Sequence, residues 1–384
     1  MNRSFCLLFL ILVGSNNLLA QAYERYRKLL DTTVSSTNLG FDKNITITVP
    51  FEWQEDIDRE FPLIIVFDQQ NQRSYRYILN TIDYLTSNEQ MPSSVIIGVE
   101  SVQSQRYYET IYAVSDEQGL ALQNERFIFE ELIPLAENKY KASSFRLLIG
   151  HSRYGYFTTS LLCSRINDLN GVISISPFFG QKNINLIDSI SLLENQLLNS
   201  HKYYRYGTGN DYPADFYKMD SLLKQFNNPR LDFKGRLFKE ADHNVTPGLT
   251  VGTALYEIFE DWSEVQSKYI SNEQSDLTTI DTLRKCVQAK YGSQLKFSLG
   301  ILNGKGWFFY NEKEYVKAIQ AWEILMETYP NFSEGYLYII DAQLHLKQNY
   351  DDVRVKFHQS LANSEIYSEK EKIELNQELE NMIQ

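Results

Sequence analysis

A serine hydroxyl becomes a useful nucleophile only when the backbone lifts it clear of the chain and a base stands within reach. One stretch of this sequence meets the first condition: Phe145-Arg-Leu-Leu-Ile-Gly-His-Ser-Arg-Tyr-Gly-Tyr-Phe157. Arg146 to Ile149 have strand character, Gly150-His151-Ser152 turns the chain, and a helical pattern runs from Tyr154 through Ser164. A serine between strand and helix, two residues after a glycine, reads as a nucleophile elbow. Amides at the helix start, that of Arg153 first, would face a developing oxyanion. The plainer reading is a turn whose serine only caps the helix. The stretch also departs from G-x-S-x-G, because Tyr154 stands at the second glycine position and the glycine arrives one residue later, as Gly155. A side chain is therefore expected close to the elbow, where it either narrows the site or shapes it for substrate.

The second condition is a base, oriented in turn by a carboxylate. Of the five histidines, His345 and His358 fall in a helical tail, His201 precedes a strand, and His151 adjoins the serine on the opposite side of the strand. His243 follows the last strand and is the expected base. The order serine, acid, histidine confines the acid to the residues between 152 and 243. Asp211 ends the strand before the histidine strand and is the expected acid; Asp215 and Asp220 compete from further into a helix, and Asp242 reads as a cap. A second oxyanion amide is expected from the loop after Leu63–Phe67, at Gln69. Phe178, with Tyr107, Tyr108 and Phe179, suits a cleft for an aromatic or sugar-bearing group, and equally suits ordinary packing.

The elements that must position these residues alternate. Strand runs at 45–49, 63–67, 95–99, 146–149, 171–175, 203–206 and 231–238 are separated by helical patterns near 75–85, 125–140, 154–164, 216–226 and 249–262. Several strand runs are continuously apolar, as strands buried on both faces are. The expected class is α/β with a mostly parallel sheet, whose ligands sit off the carboxyl ends of the strands. Asp68, Ser152, Phe178, Asp211 and His243 all lie there. Residues 23–44 read as a polar lead-in.

Near residue 268 the character changes, and residues 269–384 show only helical periods. Gly306, Phe309, Tyr315, Ala318, Trp322 and Pro330 fall at tetratricopeptide spacing, and Tyr350, Val353 and Phe357 echo Tyr315, Ala318 and Trp322 each 35 residues on. The alternative is a plain helical bundle.

Composition narrows the partners. With 37 Lys and Arg against 49 Asp and Glu, a net charge of -12 and no basic run, neither a nucleic-acid surface nor an anionic membrane is expected. Residues 1–22 read as a secretory signal peptide: Arg3, the apolar run Phe5–Val13, then Ala20-Gln21-Ala22. The run is too short to span a bilayer and no anchoring cysteine stands at the cleavage site, so export without a membrane anchor is expected. N-terminal sequencing of exported protein should then begin at Gln21 or Tyr23, and an intact Met1 would refute the reading. Cys163 and Cys286 are expected as free, buried thiols. No metal-ligand spacing occurs, and no cofactor is expected.

Seven stretches in order carry a family resemblance: Phe61-Pro-Leu-Ile-Ile-Val-Phe-Asp68; Val95-Ile-Ile-Gly-Val99 with Arg106 after it; Glu130-Glu-Leu-Ile-Pro134; Ile149-Gly-His-Ser152; Ile175-Ser-Pro177; Gly209 to Asp211; and Asp242-His243. Residues 35 to 262 resemble the esterase family of α/β-hydrolases that includes enterochelin esterases, S-formylglutathione hydrolases and feruloyl or acetyl-xylan esterases. The resemblance implies an α/β-hydrolase domain over residues 23–268, Ser152 as nucleophile, His243 as base, Asp211 as orienting acid and Arg106 near the substrate. The expected reaction is hydrolysis of a carboxylic ester, such as a siderophore ester or acylated carbohydrate. Tyr154 departs from the family's glycine, and the helical tail lies outside the family, with a protein partner or self-association as its expected use. The rival expectation is a non-catalytic binding protein on the same scaffold.

Overall fold

The computed structural model of this chain describes residues 23–54, 59–113, 118–271, 279–293, 295–364 and 367–384; the leader expected over residues 1–22 lies outside them. Side-chain alternation sets how the central strand faces. In β3 (Phe61–Phe67) Ile64 and Val66 point into one core while Leu63, Ile65 and Phe67 point into another, and all are buried because helices cover both faces. Around it run β1 (Tyr26–Ser35), β2 (Asp42–Pro50), β4 (Val95–Val99), β5 (Ala142–His151), β6 (Gly171–Ile175), β9 (Lys202–Thr208) and β10 (Leu231–Leu237). Their order is β1-β2-β4-β3-β5-β6-β9-β10, with a separate small hairpin of β7 (Gly180–Gln181) and β8 (Ile184–Asn185). β1–β2 and β2–β4 pair antiparallel, and every later pair in the sheet is parallel.

The lead-in is not irregular: residues 26–35 form β1, which pairs with β2 from Tyr26 opposite Pro50 to Ser35 opposite Asp42. It sits at the sheet edge, where half of its side chains meet solvent, so no apolar run announced it. The helix read over 125–140 is three segments, Ala121–Arg126, a wide π turn at Phe127–Leu132, and Ile133–Tyr140. Pro134 opens the last of these, and the wide turn accommodates its missing N–H.

The tail consists of helices Thr279–Tyr291, Leu299–Asn311, Tyr315–Thr328, Glu334–His345, Asp351–Asn363 and Glu369–Ile383. Gly306 lies against the Trp322 indole, whose Nε1 donates to Asn303 Oδ1 at 3.1 Å; a Cβ there would overlap the ring. The tail is continuous with the first core. Tyr291 stacks on Tyr203 with ring centres 5.8 Å apart, packs against Phe259 and Phe145, and its carbonyl accepts from Asn170 Nδ2 at 2.7 Å. Arg59 lies between the rings of Phe61 and Tyr329, 4.9 Å from each. Phe61, Asn170 and Tyr203 mark the amino ends of β3, β6 and β9, so the tail docks on the sheet edge opposite Ser152. Helix Glu260–Ser271, with Trp262 and Tyr269 in the shared core, runs across residue 268. Among the described residues no helix is long and apolar enough to cross a membrane.

Candidate active site

Three neighbouring strands end in residues whose backbones enter the region disfavoured for L side chains: Asp68 after β3 (φ 62°), Ser152 after β5 (φ 60°) and Ser176 after β6 (φ 42°). Each such turn costs roughly 1–3 kcal/mol, and such strain clusters where a side chain must be held in one direction. Ser152, with ψ -115°, is the sharpest. Its N–H donates to Ile175 O at 2.8 Å, which ties the elbow to β6. Gly150 is required because a Cβ there would overlap the Tyr154 carbonyl, and one at Gly155 would come within 2.9 Å of Ile175 O. Those two positions must be bare, whereas the side chain at 154 leaves on the other side.

His243 and Asp211 come from the two loops beyond. Asp211 Oδ2 accepts from His243 Nδ1 at 2.6 Å. The proton is assigned to Nδ1 because the partner is a carboxylate, which leaves the Nε2 lone pair free. Gly209 lets the two loops approach, since a Cβ there would sit 2.5 Å from Ala241 O and 3.2 Å from Asp211 Oδ1. Asp215 instead accepts from the Phe179 N–H at 3.3 Å, and Asp242 Oδ1 caps the next helix through the Asn244 and Val245 amides. Among the described residues no hydrogen bond joins His243 to Ser152 Oγ. Such contacts commonly tighten only when substrate is bound.

Two expected contributors are committed elsewhere. The Gln69 amide donates to Val99 O at 3.1 Å, so it is not available to an oxyanion. Arg106 grips Asp68 through Nε to Oδ1 at 2.8 Å and Nη2 to Oδ2 at 2.6 Å, and reaches the His151 carbonyl at 3.2 Å. It pins the strained β3 turn to the elbow. The Arg153 amide, first in helix Arg153–Ser164, has no acceptor within the helix and stays available. Phe178 stacks on Tyr156 with centres 5.0 Å apart and lies 6.1 Å from Tyr212, whose ring is 6.3 Å from that of His243.

Tyr154 is not a substrate contact. Its side chain is fully buried, stacked on Phe67 at 4.7 Å, and its hydroxyl meets Glu109 Oε2 and Ser101 Oγ, each at 2.5 Å. Glu109 also pairs with buried Lys43 at 3.0 Å, a contact between positions 66 residues apart that no local pattern announces. Burial, and then the Glu109 charge, hold the Tyr154 phenol protonated, well above its usual range. Because Glu109 shares a helical turn with Arg106, the tyrosine braces the segment that grips the elbow. Tyr154→Phe is expected to destabilise the fold by about 1–3 kcal/mol, the cost of leaving a buried carboxylate one donor short. Tyr154→Gly should cost about 3–5 kcal/mol through the cavity as well. Urea unfolding reads both, and an unchanged midpoint for Tyr154→Gly would overturn this role.

His151, set aside on the sequence, does reach the site. Its ring lies 4.6 Å from that of His243, and its Nε2 contacts the His243 carbonyl at 3.0 Å. A neutral ring donates there and steadies the loop. Burial, followed by the neighbouring His243, pushes the His151 pKa down to about 4. An unfolded histidine titrates near 6.5, so between those values the unfolded chain holds the extra proton. This contribution to stability is complete above about pH 6.5 and is lost as pH falls through about 4. His151→Gln should flatten the dependence of the unfolding midpoint over that window; parallel slopes for variant and wild type would refute the assignment.

Cys163 is a free thiol whose pKa burial pushes up to about 12, whereas Cys286 is exposed rather than buried, because its position on helix Thr279–Tyr291 faces away from the shared core. A surface groove of about 520 Å³ between helices Gln72–Ser87 and Thr246–Ile258, lined by Tyr77, Tyr84 and Tyr256, includes none of the site residues.

Comparison with known proteins places the fold. A search of curated protein sequences finds no match. Among solved structures, an uncharacterised protein from Capnocytophaga ochracea is 13% identical, with TM-score 0.61 over 92% of this chain and 99% of its own. That span takes in most of the helical tail. An IroE-like serine hydrolase from Shewanella oneidensis is 16% identical, with TM-score 0.62 over 78% of this chain and 99% of its own. Siderophore hydrolase EstB from Aspergillus nidulans is 13% identical, with TM-score 0.50 over 64% and 99%. The family model described as "Putative esterase" matches residues 36–245, more than half of the chain. With the sheet order, the elbow and the two loops in view, the chain belongs to that esterase family.

Proposed function

We propose that this protein hydrolyses carboxylic esters with Ser152 as nucleophile, His243 as general base and Asp211 as the group that orients and stabilises the imidazolium. The observation that carries the reading is the His243–Asp211 contact of 2.6 Å beside a serine held at φ 60°. His243 Nε2 takes the hydroxyl proton as Oγ attacks the ester carbonyl, and the Arg153 amide faces the oxyanion. Collapse expels the alcohol with the proton returned by His243, and water activated by the same nitrogen releases the acyl group. Membership of the esterase family and the fold of an IroE-like serine hydrolase support this chemistry. The fold of a siderophore hydrolase supports a siderophore ester as substrate, with acylated carbohydrates as the other class. Labelling of Ser152 by a fluorophosphonate tests the nucleophile directly.

The non-catalytic alternative drew on Tyr154 at the elbow and on the appended helical tail; the buried Tyr154 side chain removes the first ground, and membership of the esterase family favours the hydrolase. The leader-like residues 1–22 support export to the periplasm or the exterior. Close packing of Gly306 on Trp322 supports a tetratricopeptide-like tail, and its place at the amino edge of the sheet supports partner binding or self-association over a lid.

A further inference from the structure

Two arginines reach the site, and they differ in one respect. Arg106 is paired with Asp68 through Nε and Nη2, and Nη2 also donates to the His151 carbonyl. Arg153, the residue after Ser152, makes no hydrogen bond or ion pair among the described residues, and its Nη1 is shut away from solvent without a partner. Its guanidinium lies over the Tyr107 ring, 4.2 Å from the centre. Stacking fixes the plane of the fork and leaves its edge open. Among the described residues Asp68 pairs with Arg106, Asp211 Oδ2 with His243, and Asp215 accepts from the Phe179 amide, and none of the three is hydrogen-bonded to Arg153. Burial and the Arg106 charge both act against the Arg153 cation, and the neighbouring Tyr107 and Tyr212 oppose them. A guanidinium nitrogen enclosed without an acceptor, as Nη1 is, costs stability unless something else completes it.

The surroundings describe what completes it. On one side Tyr107 and Tyr108 pack edge to face at 5.5 Å, and on the other stand Phe178 and Tyr212, 6.1 Å apart, with Tyr212 against His243. Nη1 is enclosed, whereas Nε and Nη2 are not shut away from solvent and have no partner among the described residues, so the open edge of the fork lies one residue from Ser152 between aromatic walls. A fork with a free edge matches a carboxylate better than any neutral group. We infer that Arg153 makes this site selective for esters that carry a carboxylate next to the scissile bond, the guanidinium receiving the carboxylate through its open edge. This rests on the hydrolase reading above, and deepens it.

The test uses the purified full chain and pairs of esters that differ in one charge. 4-Nitrophenyl hemisuccinate and hemiglutarate against 4-nitrophenyl butyrate place the carboxylate on the acyl side. 4-Acetoxybenzoate against its methyl ester places it on the alcohol side. At low salt, kcat/KM in one arm should favour the anionic member about tenfold or more, chiefly through KM, and added salt should erode the preference. Arg153→Gln, which keeps the backbone amide, should bring that ratio to about one, and Arg153→Lys should restore part of it. Calorimetric titration with benzoate against benzamide reads the subsite without turnover: wild type should take benzoate in preference, and Arg153→Gln should not. Fluorophosphonate labelling and ester turnover with no charge preference in either arm, or a preference that survives Arg153→Gln, would overturn the subsite alone. Benzoate binding lost in Arg153→Gln, with no labelling of Ser152 and no turnover, would keep the subsite and overturn the hydrolase.

Discussion

Ser152→Ala should abolish both fluorophosphonate labelling and turnover of small aryl acetates, with the fold intact. In the proposed mechanism the Ser152 hydroxyl forms the acyl bond, and the Cβ that alanine keeps is already accommodated there. Replacing it removes the covalent route and leaves only binding and the oxyanion amides. His243→Ala should lower kcat by about a thousandfold or more, equivalent to about 4 kcal/mol in the barrier, because an unassisted hydroxyl is a poor nucleophile at neutral pH. Asp211→Asn should cost about as much, since a carboxamide at 2.6 Å from Nδ1 no longer selects the tautomer that leaves Nε2 free. Asp215→Asn should have little effect on rate, because Asp215 accepts from Phe179 and does not touch His243. Labelling that persists in Ser152→Ala would place the nucleophile elsewhere, and wild-type protein that neither labels nor turns over any ester would remove the hydrolase.

The second large effect is on stability. A chain ending at Lys268 should lose cooperative folding and aggregate, although the site it retains lies at the far edge of the sheet. Tyr203, Phe145 and Phe259 are all buried, and Tyr291 packs on each of them. Removing the tail uncovers that cluster and leaves Asn170 Nδ2 without the Tyr291 carbonyl. Tyr291→Ala alone should cost about 3–5 kcal/mol, a large share of a typical total of about 5–15 kcal/mol. Size-exclusion chromatography and thermal unfolding of both variants read this. A soluble, monomeric chain ending at Lys268 that still labels at Ser152 would mean that the shared core is dispensable and the esterase unit folds independently.

Features whose signal is local could be read from the chain. The buried strands β3, β4 and β6 declare themselves as apolar runs bounded by turn residues, because a strand covered on both faces has no reason to alternate. The elbow declares itself because backbone crossing demands Gly150 and Gly155 at set distances from Ser152. His243 and Asp211 follow from strand order, since a parallel sheet delivers its loops to one edge. β1 escaped because an edge strand shows one solvated face. Three decisions needed the third dimension. The Gln69 amide is taken by Val99 through pairing between neighbouring strand ends, and the Arg106–Asp68 pair joins positions 38 residues apart. On spacing alone Tyr154 is expected to narrow the site or to shape it for substrate, because sequence counts its position from the serine but not the direction its side chain takes. Only the fold supplies the buried Lys43–Glu109 pair that makes that direction favourable. The same holds for the tail: its helical periods are local, but the surface they cover, the amino edge of the sheet and not the edge that carries Ser152, depends on contacts such as Tyr291 on Tyr203, 88 residues apart in a chain that only tertiary packing brings together.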